Sequence, residues 1–80
     1  MNIYLIKRTD RWGYDNYDSV VVAAESAEEA VKINPDIEGW DCEAGFSSWA
    51  ASPDLVQATL LGTAAPDTES GIILASFNGG

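Results

Sequence analysis

The stretch Ser19-Val20-Val21-Val22-Ala23-Ala24-Glu25-Ser26-Ala27-Glu28-Glu29-Ala30 decides the fold, because its character changes from strand to helix within a few residues. Its first half is an apolar run rich in β-branched side chains, which suit the pleated surface of a sheet. Its second half opens with a capping box: the Ser26 hydroxyl can accept the backbone N–H of Glu29, and the Glu29 side chain can return the bond. A helix is predicted to begin there, with Ala27, Ala30, Val31 and Asn34 along one face. Glu28 and Glu29 sit near its N-terminus, where the helix dipole favours negative charge. Asn34-Pro35 is expected to stop it after about two turns.

Working outward from this switch, Ile3-Tyr4-Leu5-Ile6 reads as an earlier strand. Residues 9–18 contain Gly13, Asn16 and three Asp, a turn-forming composition that joins the two strands as a long hairpin. Downstream, 36–54 has no clean period, yet it holds Trp40, Phe46 and Trp49. Rings of this size contribute much of a small core, so the segment is expected to fold irregularly over the sheet, with room for a short strand over 46–50. Residues 55–63 alternate Val56, Ala58 and Leu60 against Gln57 and Thr59, the period of a half-buried strand. A Pro66-Asp67 turn signal then precedes a last strand over 71–77. The chain order β-β-α-β-β predicts an α+β fold: a small antiparallel sheet of about four strands with one short helix packed on one face.

Eighty residues is near the lower limit for independent folding, so residues 1–80 are expected to form a single domain. A hydrophobic content of 46%, with eight aromatic residues, is too high for a disordered acidic tail. Cys42 has no second cysteine to pair with and no histidine to share a zinc ion, so neither a disulfide nor a structural metal is expected. The carboxylates of Asp41 and Glu43 beside it should suppress its thiolate. No segment reaches the roughly 20 apolar residues of a membrane span, and residues 1–8 have the wrong order and length for a signal peptide. The expected location is the cytoplasm.

The formal net charge is −9, and its distribution is uneven. Lys7, Arg8 and Arg11 supply three of the four positive charges, whereas from Trp12 onward there are twelve carboxylates and one lysine. Such a surface repels nucleic acid and anionic lipid, and attracts a basic partner. The absence of histidine removes most Ser-His and Cys-His nucleophile arrangements. Asp10, Asp15 and Asp18 share a loop but lack the spacing of an EF-hand, and read more simply as turn-formers. No glycine-rich phosphate loop is present, so no cofactor is expected and an enzyme is not the leading reading.

Two features remain for binding. In Trp12-Gly13-Tyr14-Asp15-Asn16-Tyr17-Asp18, rings with polar edges stand beside carboxylates, which suits contact with an arginine-rich protein surface; Trp12 and Tyr14 can equally be core residues. In addition, ten carboxylates fall within residues 10–43. If half of them share a face they imitate the spaced charges of a nucleic-acid backbone; ordinary solubility charge is the competing account.

The opening Ile3-Tyr4-Leu5-Ile6-Lys7-Arg8-Thr9-Asp10, the Tyr14–Asp18 segment, Val20–Ala30, Leu61-Gly62-Thr63-Ala64 and Ser70–Phe77 resemble short uncharacterised proteins of tailed phages and prophages. The resemblance covers most of the chain and brings no catalytic residue with it. It implies a context in which small acidic proteins inhibit host defence, as anti-CRISPR and anti-restriction proteins do. The leading expectation is therefore a non-enzymatic anti-defence protein, an anti-CRISPR that binds a basic surface of a host CRISPR effector and blocks DNA binding or recruitment. Tyr14, Asp15, Tyr17, Asp18, Glu28 and Glu29 would form its contact, the carboxylates pairing with Arg or Lys and the rings packing between them. The alternative is a phage accessory or structural module that self-associates, as a homodimer for example, or pairs through a free sheet edge.

Overall fold

The computed structural model describes residues 1–9, 16–35, 40, 49–50 and 52–78. Four strands, β1 (Asn2–Arg8), β2 (Asn16–Ala24), β3 (Val56–Thr63) and β4 (Gly71–Asn78), form one antiparallel sheet in the spatial order β3-β1-β2-β4. A short helix, α1 (Ala27–Ala30), lies between β2 and β3 in the chain, and a 3₁₀ turn, Pro53–Leu55, leads into β3. The expected small antiparallel sheet with one short helix is thus present; β1, β2 and β4 extend beyond the runs read from sequence, whereas β3 starts one residue later than read, Leu55 belonging to the 3₁₀ turn.

The helix is shorter than the two turns its sequence suggests. Ser26 is extended and its hydroxyl accepts the Glu29 N–H at 3.2 Å, the first bond of the capping box. After Ala30 the bonds tighten: Lys32 N–H donates to the Glu29 carbonyl and Ile33 N–H to the Ala30 carbonyl, both at 3.2 Å. These are three-residue closures typical of a helix end, and Asn34-Pro35 follows directly.

Strand directions explain where the core lies. β2 and β3 both run antiparallel to β1, so they run parallel to each other and their connection must return the full length of the sheet. It leaves β2 at Ala24, paired with Asn2, and re-enters β3 at Val56, paired with Arg8. On that return it lays Ala30, Trp49 and Ala50 against Tyr4 and Ile6 of β1, Val20, Val22 and Ala24 of β2, and Val56 of β3, all buried. Even-numbered positions of β1 and β2 therefore face the core, as the two-residue side-chain period requires. Trp49 is the largest fully buried side chain, and the partly buried Trp40 packs against the core, with its indole N–H donating to the Lys32 carbonyl at 2.7 Å. The aromatic residues of the irregular segment thus cover one face, while Phe46 and the short strand suggested over 46–50 lie largely outside the described residues.

β3 departs from its expected pattern at one position. Val56 is buried and Ala58 partly so, but Leu60, predicted to face inward with them, is 61% exposed. Leu60 sits on an edge strand with a neighbour on one side only, and the register slips by one residue between its pairing with Tyr4 and that of Gly62 with Ile3. The extra residue of that bulge, Leu61, lies beyond Leu60, so Leu60 keeps to the core side with Tyr4 and is exposed because it stands at the rim of the sheet.

Candidate functional site

The hairpin end of the sheet carries the described cations of β1. Lys7 lies opposite Ser19 and Gln57, and Arg8 lies opposite Val56. Arg8 turns toward the core side, where its guanidinium donates to the Tyr17 carbonyl at 3.3 Å and stands 5.8 Å from the centre of the Trp49 ring. This geometry permits a cation–π attraction. Asp18 occupies the same end, its carboxylate accepting the Ser19 hydroxyl at 3.1 Å. Lys7, Arg8, Asp18, Ser19 and Ser76 line an open depression of about 320 Å³ there.

The opposite end is built differently. β2 leaves the sheet at Ala24 and passes directly into Glu25, Ser26 and the exposed Glu28 and Glu29 of α1. β3 leaves at Thr63, also paired with Asn2, and β4 enters at Gly71, paired with Ala23. Because β3 and β4 are the two edges, residues 64–70 must cross this same end over β1 and β2, a span of roughly 14 Å at ordinary strand spacing. The crossing is pinned by the Ala64 N–H, which donates to the Met1 carbonyl at 2.9 Å, and by a turn in which Thr68 N–H donates to the Ala65 carbonyl at 3.0 Å. It carries the exposed Asp67 and Glu69. Topology therefore gathers Glu25, Glu28, Glu29, Asp67 and Glu69 at one end of the sheet, leaving Asp18 and Asp54 as the described carboxylates elsewhere.

Of the six residues singled out from sequence, the four that are described are not brought into one patch. Glu28 and Glu29 are exposed at the acidic end. Asp18 is at the other end of β2, about 20 Å away at the rise of a strand. Tyr17 is half-buried: its ring packs against the core and meets Phe77 edge-on, centroids 4.8 Å apart and planes at 61°. Tyr14 and Asp15 lie outside the described residues, as do Trp12, Asp10 and Cys42. Sequence reasoning missed Asp67 and Glu69, because only the crossing connection brings them beside Glu25, and strand order cannot be read from composition.

Among the described residues no group of three or more His, Cys, Asp or Glu is placed to hold a metal ion. No helix among them is long and apolar enough to cross a membrane. No family model, curated protein or solved structure matches the chain.

Proposed function

We propose that the protein is a non-enzymatic binding module of the anti-defence type, whose acidic end engages a basic, nucleic-acid-handling surface of a host complex. An anti-CRISPR acting on a CRISPR effector is the specific form of this reading. The observation that carries it is the convergence of Glu25, Glu28 and Glu29 with Asp67 and Glu69 at one end of the sheet, away from Lys7 and Arg8. Separation of charge along the strands gives the molecule an electrostatic direction, so a basic partner is steered to one end. The contact differs from the one expected from sequence: Glu28 and Glu29 remain in it, Asp67 and Glu69 join it, and Asp18 and Tyr17 leave it.

The test is affinity capture from host lysate at low salt, comparing the native chain with the triple variant Glu25→Lys, Glu28→Lys, Glu29→Lys. The expected result is a nucleic-acid-binding complex that is displaced by added DNA or RNA and lost with the triple variant. Its affinity should fall on the order of tenfold or more when salt rises well above physiological strength, as screening shortens the reach of exposed charges. Capture that ignores both salt and charge reversal would sink this reading.

A further inference from the structure

The acidic end leaves a different surface unexplained. Strand β4 carries four large exposed apolar side chains, Ile72 at 43%, Ile73 at 51%, Leu74 at 68% and Phe77 at 50%. They do not share a face. Ile72 pairs with the inward-facing Val22, and Phe77 meets the inward-facing Tyr17, so both lie on the core side of the sheet. Leu74 pairs with Val21, on the opposite side. A partner resting on either face alone would leave Leu74 or the pair Ile72 and Phe77 uncovered; a strand added alongside β4, with its own flanking side chains, covers both sides at once.

β4 also lacks the usual protection of an edge. Its eight residues, Gly-Ile-Ile-Leu-Ala-Ser-Phe-Asn, include no charge and no proline, whereas exposed edges are normally blunted by lysine, proline or an inward charge. Its extra residue relative to β2 falls at Ile73, between the pairings of Val22 with Ile72 and Val21 with Leu74. A second shift, between Tyr17 and Ser19, puts its extra residue at Asp18 on β2, so from Leu74 onward β4 itself has no extra residue and presents its outer edge to a new strand.

We propose that two copies of this chain pair through the outer edges of their β4 strands, antiparallel about a two-fold axis, to make one continuous eight-stranded sheet. Charge selects a second copy in this orientation. Gly71 marks the acidic end of the sheet, and Asn78 the end of Lys7 and Arg8. An antiparallel pairing sets the acidic end of each copy beside the end of the other that holds Lys7 and Arg8, where only Asp18 and Asp54 are described carboxylates, and keeps the two acidic ends at opposite extremes of the assembly. A parallel pairing would place ten carboxylates together. The uncharged strand lets a chain of net charge −9 approach its own copy without setting carboxylate on carboxylate.

The inference stands apart from the proposed function, and its failure would leave that reading intact. It is tested by sedimentation equilibrium of the native chain and of three variants, Leu74→Glu, Ser76→Glu and Gln57→Glu, each at an exposed position and each checked for a native circular dichroism spectrum. The native chain should sediment as a dimer of 8.6 kDa subunits. Leu74→Glu and Ser76→Glu bring like charges together along the joined strands and should weaken the dimer by about tenfold or more. Gln57→Glu, on the opposite edge strand β3, should leave it intact. A native chain that stays monomeric up to about 500 µM, a dimer unmoved by both β4 charges, or one dissociated by Gln57→Glu would overturn the proposal.

Discussion

β2 and β4 are hydrogen-bonded neighbours with nearly the same apolar content, yet one is the centre of the core and the other is the most exposed apolar segment described. Val20, Val22, Ala23 and Ala24 of β2 are buried, whereas Ile72, Ile73, Leu74 and Phe77 of β4 are exposed. The difference does not lie in side-chain chemistry. β2 has a strand on each side and the returning connection above it; β4 has one strand beside it and is the sheet edge. Burial in so small a fold is therefore decided by position under Trp49 and α1, and strands beyond their reach keep their apolar side chains in water.

If cover is the deciding factor, removing it should have the largest effect. Trp49→Ala deletes the largest fully buried side chain and should cost about 3–5 kcal/mol. That is a large fraction of the roughly 5–15 kcal/mol expected of a whole domain. Chemical denaturation should show a much lower midpoint, or no cooperative transition at all. A loss well below this range would mean that β2 is buried by something other than Trp49.

The comparison sharpens when the same change is made on both strands. Val22→Thr keeps the shape of the side chain but places a hydroxyl where Val22 is fully buried; without a partner it should cost about 1–3 kcal/mol. A cost near zero would show that water reaches the face beneath the helix. Smaller still is the effect expected of Ser26→Ala, which removes the acceptor of the Glu29 N–H and should cost about 1 kcal/mol. Because α1 is little more than a turn, this loss should appear as earlier amide exchange at Glu29 and Ala30 as well as a lower melting temperature.

Much of this architecture is legible in the sequence. Apolar runs locate all four strands, and the Ser26–Glu29 box fixes where the helix starts, because those signals are local. Three things are not local. The exposure of Leu60 depends on β3 being an edge strand, which no period within 55–63 reveals. The split of Asp18 from Glu28 depends on β2 spanning the whole sheet between them, although the two residues lie close together in the chain. The addition of Asp67 and Glu69 to Glu25, Glu28 and Glu29 depends on both edges being reached by one connection across the same end. Each is a consequence of strand order, and strand order is set by the competition among pairings rather than by any one segment.

Leu74→Thr is the counterpart of Val22→Thr, and its expected effect on the isolated fold is the smallest. The side chain is mostly in water, threonine is at home in a strand, and an exposed substitution of this kind changes stability by no more than about 0.5 kcal/mol. That expectation holds for the monomer. A dimer joined through β4 is stabilised by mass action, so its melting temperature rises with protein concentration. The native chain should show that rise, and Leu74→Thr, with less apolar surface to offer a second strand, should flatten it while matching the native melting temperature at high dilution. Thermal melts at several concentrations thus separate the two roles of one residue. Equal slopes in both proteins would place Leu74 outside any interface, and a lower melting temperature at every dilution would mean that Leu74 supports the fold of its own chain, bringing β4 closer to β2 than the exposures suggest.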